Sequence, residues 1–69
     1  MEVIKLKTEY IKLGQALKAA GFVESGVDAK HVIEEGKVTV NGQTATQRGK
    51  KLTDGDQVGF MGKTINITK

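Results

Sequence analysis

From Leu13 onward the apolar positions Leu13, Ala16, Leu17 and Ala20 fall at i, i+3, i+4 and i+7, the spacing that lines one face of an α-helix. Gly21 follows and supplies the left-handed residue on which helices end, with Phe22 placed to fold back onto the last turn. A second stripe, Ala29, Val32, Ile33 and Gly36, is preceded by an N-cap signature, Ser25 with Asp28 three residues on. Only Val23-Glu24 separates the two patterns, so the helices form a compact pair. Val38 and Val40 then alternate with polar residues as a half-buried strand does, and Asn41-Gly42 suits a type I′ hairpin turn, in which both central residues take positive φ. Gln43 to Thr46 reads as the polar return strand. Further on, Asp54-Gly55 marks a turn, Val58 and Phe60 alternate, Met61-Gly62 turns, and Ile65 and Ile67 alternate again as a second hairpin. Ahead of the helices, Met1 to Lys7 predicts an opening strand with Ile4 and Leu6 inward, and Thr8 and Glu9 suit a helix entrance.

A strand, two helices and then a run of about four short strands predict an α+β fold. In it a two-helix pair packs on a small, mostly antiparallel sheet of about five short strands, the whole of 1–69 forming one domain. The expected core is Ile4, Leu6, Leu13, Leu17, Phe22, Val32, Ile33, Val38, Val40, Leu52, Val58, Phe60, Ile65 and Ile67. At 69 residues the chain is near the lower size limit for folding by packing alone, and it holds no cysteine. Disulfides, thiolate nucleophiles and cysteine-ligated zinc are therefore excluded. The apolar runs are too short for a membrane span and no signal peptide is visible, so a cytoplasmic protein is expected.

Charge narrows the partner. The net charge is +3 and the pI about 9.3, a mild basic bias that favours anions. No Asp or Glu occurs between Glu35 and Asp54, so the loop Gln47-Arg48-Gly49-Lys50-Lys51 is locally far more positive than the whole. Arg48 offers a planar fork suited to phosphate or to a base edge. His31 sits off the apolar stripe of its helix without metal-ligand partners, and reads as a solvated side chain. Asp54 and Asp56 flank Gly55 and read as turn and capping residues, not as an acid/base pair. Gly59 and Gly62 lack the helix and lysine of a phosphate loop. Tyr10 suits either the core edge or stacking on RNA. With no catalytic constellation, metal cluster or cofactor box, no enzyme activity, cofactor or small-molecule substrate is expected.

Several spaced elements, taken together, resemble the S4 RNA-binding domain. They are Leu13-x-x-x-Leu17, Ala20-Gly21-Phe22, Ser25-x-x-x-Ala29-Lys30, Ile33-x-x-Gly36-x-Val38-x-Val40-Asn41-Gly42 and Leu52-x-x-Gly55-Asp56-x-Val58. They cover about residues 10–60, and the chain as a whole resembles the small stand-alone bacterial members. The resemblance implies an RNA-binding face made by the two helices and the loop after the Asn-Gly turn. On that face it places Lys12 opening the first helix, and Ser25 and Lys30 at the entrance and within the second. Gly26 departs from the family, most members having arginine directly after the Ser/Thr; Arg48, Lys50 and Lys51 are expected to supply the missing charge. The implied partner is structured RNA, ribosomal RNA first, bound by a monomer during ribosome assembly or maintenance. Two other readings are a β-grasp sulfur carrier, which shares the Val-Asn-Gly and Asp-Gly-Asp features but ends in Gly-Gly where this chain has Ile67-Thr68-Lys69, and an adaptor docking an acidic protein on the same basic face.

Overall fold

A computed structural model describes residues 2–69; Met1, at which the expected opening strand begins, lies outside them. The chain runs β1 (Glu2–Lys5), β2 (Ile11–Lys12), α1 (Leu13–Ala19), α2 (Gly26–Glu34), β3 (Val38–Val40), β4 (Gln43–Thr44), β5 (Lys51–Leu52), β6 (Gln57–Phe60) and β7 (Lys63–Thr68). Five strands make one sheet in the order β1-β7-β6-β3-β4, antiparallel except where β1 runs parallel to β7. The remaining two, β2 and β5, form a separate antiparallel ladder.

Local chemistry sets both helix ends. Phe22 N–H donates to the Leu17 carbonyl and Gly21 N–H to that of Lys18, each at 3.0 Å, with Gly21 at φ +78°. Lys37 and Gly36 repeat the pattern on Val32 and Ile33 at 3.1 Å, with Gly36 at φ +77°. Both arrangements satisfy carbonyls that a helix end otherwise leaves open. At the start of α2, Ser25 Oγ accepts from Asp28 N–H at 3.2 Å.

The stripes of α1 and α2 and the inward residues of the strands share one core. Leu13, Leu17, Ile33, Val38, Leu52, Val58, Ile65 and Ile67 are its largest fully buried members. Ala16, Ala29 and Ala45 complete it where helices and hairpin come close, whereas Ile4, Phe22 and Val32 are only partly buried against it. Ile4 belongs to the edge strand β1, and Phe22 lies beyond α1, its ring stacked on Phe60 at 6.0 Å between centroids.

Two departures from expectation have physical causes. Thr8 and Glu9 do not open the first helix: Ile11 and Lys12 pair with Leu52 and Lys51, and α1 begins only at Leu13. The first helical N–H groups, of Leu13 and Gly14, donate to the carbonyls of Lys50 (2.8 Å) and Arg48 (3.1 Å), so the distant loop sets where α1 starts. The return strand closes after Thr44, because Ala45 turns inward and donates to the Val38 carbonyl at 2.9 Å.

Asp56 ties the two hairpins together. Its carboxylate accepts from Thr53 N–H at 2.8 Å and from Asn41 Nδ2 at 3.0 Å, while Asn41 Oδ1 accepts from Gln57 N–H at 2.9 Å. Asp54 Oδ1 accepts from Lys69 N–H at 2.9 Å. Both carboxylates therefore serve as turn and capping groups. Among the described residues no helix is long and apolar enough to cross a membrane, and no cluster of His, Asp and Glu could hold a metal ion.

Candidate nucleic-acid interface

The loop 47–50 lies across the start of α1. Its two carbonyl contacts there bring the Arg48 side chain over Gly14: a Cβ added to Gly14 would stand 2.7 Å from Arg48 Cγ and 3.3 Å from Cδ. Carbon atoms normally approach no nearer than about 3.5 Å, so only glycine lets the arginine lie there.

An open groove of about 380 Å³ results, lined by Lys12, Gly14, Gln15, Lys18, Gly26, Arg48 and Gly49. It carries three cations and no carboxylate. Lys12 caps α1, and Gln15 Oε1 accepts from Lys12 N–H at 3.2 Å, which fixes the groove's near wall. Lys18 follows Gly14 by four residues on the same helix face. Gly26 opens α2 on the far side, where an added Cβ would meet nothing within 4 Å.

The ladder adds a second feature. Lys12 and Lys51 stand directly opposite each other across β2 and β5, and both are exposed. Like charges so placed repel. Among the described residues the ion pair is between Lys37 and Glu35 at 3.8 Å, and no groove cation has an acidic partner. Lys51 Nζ instead lies 4.8 Å from the centre of the Tyr10 ring.

The expected site residues therefore divide. Lys12 and Arg48 meet in the groove and Lys51 joins them across the ladder. Lys30 is exposed four residues beyond Gly26, one turn further along the same side of α2, and is not in the groove lining. Ser25 commits its hydroxyl to capping α2 and so sets the position of Gly26. Lys50 belongs elsewhere: it lines a separate cleft with Asn41, Gln43 and Gln47, and its charge helps hold the Asp56 carboxyl below its ordinary value. The larger causes of that lowering are the hydrogen bond from Thr53 N–H and then the one from Asn41, opposed by partial burial. Gly14, Gln15 and Lys18 are groove residues outside the expected site; the i, i+4 spacing of Gly14 and Lys18 was the available signal.

A small α+β module that gathers cations from its first helix and one loop around a carboxylate-free groove belongs to the class of polyanion-binding domains. More narrowly, the chain is a member of the S4 domain family, which matches residues 4–68. It is 44% identical over 59 residues to RlbA of Bacillus subtilis, described as a probable ribosome maturation protein, covering 86% of this chain and 83% of that one. The solution structure of YbcJ from Escherichia coli, described as having an "alfaL motif involved in RNA-binding", superposes with a TM-score of 0.76 at 34% identity over 100% of this chain and 89% of that one. The trimeric Heat Shock Protein 15 of Vibrio cholerae superposes with a TM-score of 0.74 at 34% identity, covering 88% of this chain; the match spans only 65% of that protein.

Proposed function

We propose that this chain binds structured RNA, ribosomal RNA first, with the phosphate backbone seated in the groove between α1, α2 and the loop 47–50. Lys12, Lys18, Arg48 and Lys51 are the phosphate ligands, and Lys30 extends the track along α2. The observation that carries the reading is the pair of lysines, neither with an acidic partner, facing each other across the β2–β5 ladder beside a groove without carboxylates. A phosphate between such lysines turns a repulsion into two attractions. Membership of the S4 family, and the description of RlbA as a ribosome maturation protein, favour a role in ribosome assembly or maintenance.

The chemistry is recognition by shape and charge. Cations fixed on helix and ladder ends displace the counterions condensed on RNA, so affinity falls steeply as salt rises. A rigid backbone holds the charges at set spacings, which selects folded RNA over unstructured polyanions. The protein acts as a monomer in the cytoplasm and carries no catalytic step.

Gel-shift titration of a hairpin RNA at several salt concentrations tests the proposal. Lys12→Gln, Lys18→Gln and Arg48→Gln combined should remove most affinity and flatten the salt slope by roughly one unit per lost contact. The charge-matched set Lys37→Gln, Lys63→Gln and Lys69→Gln should matter far less. Gly26→Arg, entering open space on the same groove, should restore binding to an Arg48→Gln chain. Equal losses from the two triple sets would reduce the interaction to diffuse attraction and end the groove model. A cellular complex that survives nuclease would point to an acidic protein as the partner instead.

A further inference from the structure

Gln15 is a wall shared by two grooves. The second has a volume of about 400 Å³ and lies between β1, the segment leading into β2, and the end of α1. Its apolar surface comes from Ile4, Tyr10, Ile11 and Ala19, with Lys5 and Lys7 at its margin and no carboxylate in its lining. Tyr10 is 39% exposed, unusual for an aromatic ring in a chain that has only three. Its backbone is held by the Thr8 hydroxyl, which donates to the Tyr10 carbonyl at 2.8 Å. The ring is coupled to the phosphate groove by two routes: through Lys51, which lies over it and stands opposite Lys12, and through Gln15.

We infer that this second groove receives one unpaired base turned out of the RNA whose backbone occupies the neighbouring groove, with Tyr10 as its stacking platform; the inference rests on the RNA-binding reading above. A base offers an apolar face to Ile4, Ile11 and the tyrosine ring, and brings a phosphate that Lys5 and Lys7 can neutralise. An apolar peptide would leave those two cations unanswered, and a paired base could not leave its stack to enter. Stacking on an aromatic side chain does not depend on sequence, because every base has a π-face. The two grooves then divide the work. Phosphate contacts supply salt-dependent affinity, and the Tyr10 groove supplies a preference for RNA with an unpaired nucleotide over an uninterrupted hairpin.

Two hairpin RNAs that differ only by a single bulged purine provide the probe, with a fluorescent purine analogue at the bulge in a third. The full chain should bind the bulged hairpin more tightly by about fivefold to a hundredfold, the range expected for one stacked base. Tyr10→Leu should abolish the preference while keeping affinity for the uninterrupted hairpin and its salt slope; Tyr10→Phe should retain the preference. Binding should quench the analogue with the unmodified chain, a readout that stands even where Tyr10→Leu impairs folding. Equal affinity for the two hairpins, or an unquenched analogue, would overturn the stacking site while leaving the phosphate groove intact. Failure of every hairpin to bind at low salt would overturn both. Self-association in sedimentation that is lost with Tyr10→Leu would assign the groove to a second copy of the chain and likewise refute the inference.

Discussion

Replacing Gly14 with alanine separates the two things that this glycine does. Helix propensity favours alanine by at most about 1 kcal/mol, and by less within the first turn, where Gly14 lies. Against that gain stands the contact of the new Cβ with Arg48 Cγ at 2.7 Å, closer by about 1 Å than carbon atoms normally sit. The arginine cannot yield as a whole, because its carbonyl accepts from Gly14 N–H and the next carbonyl but one accepts from Leu13 N–H. Overpacking of this kind costs roughly 1–3 kcal/mol. Gly14→Ala should therefore destabilise by about 1–2 kcal/mol in urea denaturation. It should also drive the guanidinium from the groove, weakening RNA binding and lowering the salt slope by about one. In an Arg48→Ala chain the same change has no Cγ to meet and should be neutral or slightly stabilising. The double-mutant cycle thus has a coupling of roughly 1–3 kcal/mol. Additive effects within about 0.5 kcal/mol would show that Arg48 does not press on Gly14, and the assembly of the groove would need another explanation.

Two further predictions concern the frame. Asp56 has a folded-state carboxyl pKa below the ordinary 3.8, chiefly through the Thr53 and Asn41 hydrogen bonds; its contribution is therefore complete above the ordinary value and lost as pH falls through the lowered one. Asp56→Asn should cost roughly 0.5–1 kcal/mol at neutral pH, since the hydrogen bonds it weakens are exposed to solvent, and its deficit in urea midpoint should shrink steadily on acidification; a deficit independent of pH would refute the charge-assisted network. Met61, 75% exposed, takes φ +50° in a hairpin turn, a conformation that asparagine tolerates better. Met61→Asn should raise the thermal midpoint by a few degrees, about 0.5–1 kcal/mol for a domain of this size; a lower midpoint would mean that the methionine side chain makes a stabilising contact.

What could be read along the chain was whatever local sterics decide. The stripe Leu13, Ala16, Leu17 announces a helix because neighbours three and four residues apart share a face. Gly21 and Gly36 announce the ends of the two helices, and Asn41-Gly42 and Met61-Gly62 the hairpins, because these positions need positive φ. Matching such spacings to a family also pointed to Lys12 and Lys30, and the run without Asp or Glu pointed to Arg48. None of this reached the pairing of β1 with β7 or of β2 with β5, which joins residues some forty to sixty positions apart. Those partners are chosen by the common core, once Leu52 and Leu13 are both buried in it.

The site depends on the same long-range choice. Lys12 and Lys51 become neighbours only through the second ladder, Arg48 reaches Gly14 only because α1 takes its first acceptors from the loop, and Lys18 shares a groove with a second cation only when that arginine arrives. Lys50, equally basic and next in line, is carried to the other side of the same loop, toward Asn41 and Asp56. Charge content was therefore evident in the sequence, but which charges face one anion was decided by backbone hydrogen bonds between segments far apart, since a side chain's direction follows the backbone that the tertiary contacts hold in place.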